Sequence, residues 1–204
     1  MHHRLTFLDV DTQADFMLPS GALYVPGAET IIPNLHALMD YARAHGILVI
    51  SSADAHAPDD PSFAQWPPHC VSGTPGQLRI PETQLRSPLI IPNPPGFFKD
   101  PLPDRGQMII EKTDYDVSSN LNFDAVVQTL GPRHFVAFGV ATEFCVRASV
   151  LALMRQGFSV DVVSDTVKGI TEEGHQNALR EMRDAGVRFL TTAGVLSDRI
   201  PPHL

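Results

Sequence analysis

Apolar and β-branched residues run almost without interruption through LTFLDVD, GILVISSAD, QMIIEK, HFVAFGV, FSVDVVSD and VRFLTT. Such runs read as strands, and their near-continuous apolar character fits a sheet covered on both faces. Between several of them lie the helix-like stretches ETIIPNLHALMDYARAH, NFDAVVQTL, TEFCVRASVLALMRQ and TEEGHQNALREMRDA, each ending at or near a glycine. Glycine closes helices because it enters the left-handed backbone region freely. Strands alternating with helices predict parallel βαβ units. The expected class is α/β, a three-layer α/β/α sandwich around a six-stranded, mainly parallel sheet.

One region breaks the pattern. From Ala55 to Lys99 the chain is rich in proline and glycine and keeps no clean period. A segment of that length in a compact domain is functional or disordered, and Phe63, Trp66, Phe97 and Phe98 argue against disorder. The expectation is therefore an active-site loop region at about 55–99. The whole chain, 204 residues and 43% hydrophobic, is long enough for one substantial core and short for two, so residues 1–204 are expected to form a single domain.

Charge narrows the partners. With 23 acidic against 15 basic residues and no long like-charged run, the formal charge of -8 makes a nucleic-acid surface a poor fit and a small molecule the better one. No segment has the apolar length of a membrane helix or the pattern of a secretory leader, so a soluble, cytoplasmic protein is expected, with a homo-oligomer as its assembly. In that setting Cys70 and Cys145 are expected to stay reduced, which leaves one of them free to act as a nucleophile. His2 and His3, in the opening MHHR, are assigned no role.

In an open α/β sheet the site lies beyond the carboxyl ends of the strands. The first strand runs into DVDTQADF, the second ends in ADAH, the third ends at Lys112, and the fourth leads through GVATEFCV to Cys145 in the first turn of a helix. These ends carry carboxylate, carboxylate with imidazole, ammonium and thiol. A cysteine alone is more often a small buried hydrophobe, but a helix N-terminus with a lysine nearby is expected to lower the thiol pKa toward the reactive thiolate. A carboxylate beside it can take the thiol proton and return it to an amine leaving group. Asp9, Asp11 and Asp15 all compete for that work. In strand alternation Asp9 and Asp11 share a face, so spacing does not choose between them.

The stretch WPPHCVSGTPG, Trp66 to Gly76, holds His69 between two prolines and a tight turn. Asp54, His56 and His69 supply one hard oxygen and two imidazoles, a set suited to one divalent metal ion, zinc first, with iron or manganese also compatible. D-x-H alone is weak; stiff backbone around His69 is what a ligand needs. His36, His45, His134 and His175 fall outside any motif and read as structural or surface residues.

These residues together resemble the nicotinamidases within the isochorismatase-like cysteine hydrolases. The resemblance is carried by DTQADF, by D-A-H with WPPHCVSGTPG, by Lys112 and by GVATEFCV. It implies Asp11 as base, Lys112, and Cys145 as nucleophile, with Asp54, His56 and His69 as metal ligands. It further implies an oxyanion hole from the backbone N–H groups of Ala141 and Cys145, a cis peptide between Val140 and Ala141, and a pyridine ring held between Phe16 and Trp66 beside Val140. Cys70 is then a bystander to His69. The implied reaction converts nicotinamide, or a close heteroaromatic amide, to the acid and ammonia through a cysteine thioester. The alternative is a metal-free cysteine hydrolase of another small amide, an N-carbamoyl compound or a ureide. Two features depart from the nicotinamidase pattern. TDYDVSSNLNF follows Lys112 in place of an insertion ending in a Y-S-A-F-like stretch, and no further histidine lies between Ala57 and Pro68, which leaves water, Ser62, Asp59 or Asp60 to complete the shell.

Overall fold

The computed structural model describes residues 4–96, 102–131 and 133–197. Phe97 and Phe98, and likewise His2 and His3, lie outside the described residues. In chain order the elements are β1 (Arg4–Val10), α1 (Ala14–Met17), α2 (Ile32–His45), β2 (Leu48–Asp54), β3 (Leu89–Ile91), β4 (Gly106–Lys112) and α3 (Phe123–Leu130). Then follow β5 (Arg133–Val140), a π-turn at Thr142–Val146, α4 (Arg147–Arg155), β6 (Ser159–Lys168), α5 (Glu172–Asp184), β7 (Arg188–Leu190) and α6 (Thr192–Leu196).

The strands form one seven-stranded sheet in the order β3-β4-β2-β1-β5-β6-β7, and every pairing is parallel. The expected six strands thus become seven. The added strand, β3, lies inside the stretch that shows no period, because three residues between Pro88 and Pro92 are too few to display alternation and proline confines them to the sheet edge. Smaller differences have similar causes. Pro33 lacks the N–H of a helix interior, so ETIIPNLHALMDYARAH opens with a 3₁₀ turn at Ala28–Ile31 and α2 begins only at Ile32. After β7, Thr191 accepts from Gly194 N and caps α6, which ends VRFLTT as a strand one residue after Phe189.

Alternation along the central strands feeds two cores. Phe7, Val49, Val136 and Phe138 pack with Leu35, Leu38 and Met39 of α2 and Val195 of α6. Leu8, Ile50, Phe135 and Val162 pack on the other face with Phe123 and Val126 of α3, Val150 and Leu153 of α4 and Met182 of α5. Helices therefore cover both faces, as near-continuous apolar strands require. Leu8 has no exposed surface, so truncation to alanine there is expected to cost about 2–5 kcal/mol.

β1 sits centrally, with β2 on one side and β5 on the other. The chain leaves β1 in one direction and fills the opposite half of the sheet later, which opens a crevice at the carboxyl ends of these strands. The β1–β5 contact is close there. A side chain at Gly139 (φ +120°) would run into the Val10 carbonyl, so the position requires glycine.

Candidate active site

The three carboxylates of DVDTQADF go to three different places. Asp9, inside β1, faces its register partner Ser51, whose hydroxyl donates at 3.1 Å, and pairs with the buried Arg79 guanidinium. Asp11 lies beyond the last residue of β1 with a left-handed backbone (φ +48°), so strand alternation no longer governs it and it does not share the surroundings of Asp9. Its Oδ1 accepts from Ser52 Oγ at 2.6 Å and its Oδ2 lies 2.8 Å from Lys112 Nζ. Asp15 accepts from Cys70 N at 2.7 Å and Ala22 N at 3.0 Å, so it serves the loops. Gly76 packs where a Cβ would strike the Asp15 carboxylate.

Lys112 is fully buried at the end of β4 and joins three groups. It pairs with Asp11, pairs with Asp54 Oδ1, and points Nζ at Cys145 Sγ at 3.7 Å. Burial alone would lower the lysine pKa, yet the two carboxylates and the thiol hold it well above the ordinary value, so the ammonium form prevails. The same burial raises the Asp11 carboxyl above its ordinary value against the pull of Lys112. Cys145 behaves otherwise than its helix position suggests. Burial pushes its thiol well up, Lys112 opposes this, and Asp11 and Asp54 add to the rise. The expected low thiol pKa is therefore corrected. A largely buried sulfur beside two carboxylates is kept as thiol until a base takes its proton.

Cys145 lies in the π-turn that starts α4 and stands at the floor of a cleft. The Val140–Ala141 peptide ahead of it is cis. Cys70, in contrast, is not among the residues lining that cleft: its sulfur is directed at Gly76 O at 3.9 Å, and burial followed by three nearby carboxylates raises its pKa steeply.

Asp54, His56 and His69 converge, with one ligand atom from each within 4.8 Å of the others. Each imidazole is oriented by its other nitrogen. His69 Nδ1 lies 2.8 Å from Pro67 O and His56 Nδ1 lies 2.9 Å from Asp60, which leaves both Nε2 atoms facing Asp54 Oδ2 at 3.7 and 3.6 Å. His56 Nε2 is buried without a hydrogen-bond partner. Ligand atoms around a tetrahedral ion with bonds of about 2.1 Å stand roughly 3.4 Å apart, so these donors fit a divalent metal. The backbone secures the set. His56 N donates to Cys70 O and Ser72 N to His56 O, and Cys70 takes a left-handed backbone (φ +44°) next to His69. Asp60 is therefore not on the ligand side; it supports His56, the arrangement in which a carboxylate fixes a metal-binding imidazole. Ser62 N and Oγ donate to Asp60 Oδ1 and help keep its carboxyl down at about 2. Asp54 is held well below the ordinary carboxylate range, because Lys112 and both imidazoles overcome the cost of burial.

Phe16, Trp66 and Val140, singled out from the sequence, all line the cleft, together with Asp54, His69, Ala141 and Cys145. The space among them is about 410 Å³ including its open mouth.

Other contributors were assigned no role from the sequence, although Gln13 lies within DTQADF and Glu143 within GVATEFCV. Gln13 accepts from Asp54 N and donates to Asp54 O, both within 2.8 Å, pinning the end of β2. Arg79 comes from the region without periodicity and is found only through its pairing with Asp9. Glu143 accepts from Ile170 N and Thr171 N, so the π-turn bearing Cys145 holds the loop that puts Ile170 in the cleft wall. Of the other described histidines, His36 beside Asp40 and His45 against Tyr41 lie at the exposed surface, while His134 on Asp161 and His175 on Thr142 are packed within the fold.

An isochorismatase domain matches residues 6–194. The nicotinamidase of Escherichia coli is 26% identical over 207 residues, covering 90% of this chain and 93% of that protein. The nicotinamidase/pyrazinamidase of Mycobacterium tuberculosis is 28% identical over 193 residues, covering 90% and 97%. Among solved structures, the pyrazinamidase of Pyrococcus horikoshii in complex with zinc superposes with a TM-score of 0.76 at 30% identity, covering 92% of this chain and 99% of that one.

Proposed function

The chain belongs to the isochorismatase family, and from that membership we propose that it is a nicotinamidase-like amide hydrolase, converting nicotinamide or a close heteroaromatic amide to the acid and ammonia. The observation that carries this reading is that Asp54 and His69 open into the same cleft as Cys145, so a ring and its carboxamide can be held by two different sets of groups at once. Relatives named as nicotinamidases and a zinc-containing pyrazinamidase support it.

A divalent ion held by Asp54, His56 and His69, zinc first, would supply a coordination site for a ring nitrogen and so orient the ring. The chain's own residues do the rest. Phe16 and Trp66 bound the ring with apolar surface, and Val140 lies against it. The Cys145 sulfur attacks the carboxamide carbon as its proton passes to Asp11, whose raised pKa suits it as acceptor. The negative charge on the carbonyl oxygen is taken by the backbone N–H groups of Ala141 and Cys145. Asp11 then protonates the amine, the C–N bond breaks, and ammonia leaves a thioester on Cys145. A water attacks the thioester as Asp11 removes its proton; the C–S bond breaks, the acid is released, and the thiol recovers its proton. Lys112 keeps Asp11 and Asp54 in place and balances their charge throughout.

Ammonia release from nicotinamide, pyrazinamide, an N-carbamoyl amino acid and a ureide, together with elemental analysis of the purified protein, tests the proposal. Turnover of the two heteroaromatic amides by metal-containing protein is the expected result. Metal-free protein that turns over only the carbamoyl compound or the ureide would replace it with the metal-free hydrolase.

A further inference from the structure

The Asp54–His56–His69 cluster is reached from two sides. One is the cleft at Cys145. The other is a separate, more polar cleft that also reaches Asp54 and His69, adds His56, and is bounded by Ser62, Gln65 and Thr113. Trp66 and Tyr115 line both. They are joined: the Trp66 indole Nε1–H donates to the Tyr115 hydroxyl at 2.9 Å. Both rings also rest on Phe144, the neighbour of Cys145, with centroids 5.4 and 5.3 Å away. Trp66 comes from the loop that carries His69, and Tyr115 from the segment after Lys112, so the bridge ties the metal loop to the catalytic strand across the boundary between the two spaces.

We propose that Tyr115 is a specificity-determining residue: by accepting the Trp66 N–H it holds Trp66 as a partition between the Cys145 cleft and the more polar second cleft, and so sizes the Cys145 cleft for an amide of a single heteroaromatic ring. The inference rests on the proposed function in taking the acyl ring to lie in that cleft. An indole held by an aromatic contact and a hydrogen bond is fixed in two directions, whereas either alone leaves it a rotation. Tyr115 is 40% exposed, so its replacement removes the tether without opening the core. With the tether gone the two spaces join, and a fused second ring adjoining the ring nitrogen has somewhere to go.

Trp66 is the sole tryptophan of the chain, so its emission reports the partition directly. Tyr115→Phe, which keeps the ring and removes the acceptor, and Tyr115→Ala are compared with the parent for emission maximum and acrylamide quenching. In a Cys145→Ala background, calorimetry then gives the affinities of nicotinamide and quinoline-3-carboxamide, whose second ring adjoins the ring nitrogen. Both variants are expected to show red-shifted, more quenchable emission. Tyr115→Ala is expected to reduce the preference for nicotinamide at least tenfold by gaining affinity for the two-ring amide, with Tyr115→Phe between it and the parent. Unchanged emission and quenching in Tyr115→Phe, or a preference within twofold of the parent in Tyr115→Ala, would overturn the proposal. Absence of ammonia release from nicotinamide by the parent protein would instead remove the proposed function, while the affinity ratio still decides whether the partition sets ring size.

Discussion

Asp54 and Lys112 meet twice, as register partners at the ends of adjacent parallel strands and as an ion pair through Asp54 Oδ1. The other carboxylate oxygen of Asp54 faces both imidazoles. One residue thus has an oxygen in each half of the site, and one ammonium ties the Asp54–His56–His69 cluster to Asp11 and Cys145.

The two cysteines are expected to separate cleanly. Cys145→Ala should lower kcat at least about a thousandfold, because a covalent nucleophile has no substitute and the members of such a set act as a unit. Cys70→Ala should cost less than about tenfold in kcat/KM, since what Cys70 contributes to His69 is its backbone: its N–H to Asp15 and its left-handed turn. Ammonia release decides between them, and a dead Cys70→Ala with an active Cys145→Ala would reverse the roles.

Alkylation of Cys145 should be slow at neutral pH and accelerate only above the ordinary thiol range, because the folded pKa is raised and the thiolate appears late. Lys112 is the influence that lowers this pKa, so Lys112→Met should displace the iodoacetamide rate profile to still higher pH. A profile that stays in place would show that the ammonium does not act on the sulfur.

Loss of a ligand should uncouple the metal from the thiol. His69→Ala is expected to lose the ion by elemental analysis and most of the preference for nicotinamide over benzamide, which lacks the ring nitrogen, while Cys145 alkylation stays within a fewfold of the parent. Asp60→Asn, which weakens the hold on His56, should reduce metal affinity about 10- to 100-fold. Full metal retention in His69→Ala would remove the site.

How much of this was legible in the sequence depends on how local each signal is. Asp54, His56, Lys112 and Cys145 stand at or just past strand ends that hydrophobic runs mark on their own, and the sheet does bring them together. The choice among Asp9, Asp11 and Asp15 was not legible from spacing and came only from the family resemblance, because physically it turns on one left-handed residue and on a partner for Asp9 seventy residues away at Arg79. β3 and Tyr115 were illegible for a related reason. A three-residue edge strand has no period, and the Tyr115 hydroxyl acquires its meaning only when folding delivers Trp66 to it.

Away from the cleft, Asp161 has no exposed surface and takes the His134 imidazole and the Arg188 guanidinium. Burial raises its pKa, but these partners bring it below the ordinary carboxylate value. A depressed folded pKa gives stability that is complete above the unfolded value near 3.9 and is lost as pH falls through the folded one. Acid unfolding should therefore steepen below about pH 4. Asp161→Asn should flatten that limb and lower stability at pH 7 by about 1–3 kcal/mol, through partners left unpaired. Denaturant titrations at pH 3, 5 and 7 measure both; an acid limb identical to the parent's would dismiss the network.

The central place of β1 sets an order of assembly. β1 is hydrogen-bonded to β2 and to β5, and β5 does not begin until Arg133. A chain emerging from the ribosome therefore completes Asp11, Asp54, His56, His69 and Lys112 while one side of β1 still presents unpaired N–H and C=O groups along an apolar strand, the condition under which nascent chains pair with one another. The strand that seals this edge is also the one that leads into the turn bearing Cys145. Cys145 and the sealing of that edge therefore arrive together, so a chain that stops short of residue 140 leaves one side of its central strand unpaired and lacks the proposed nucleophile.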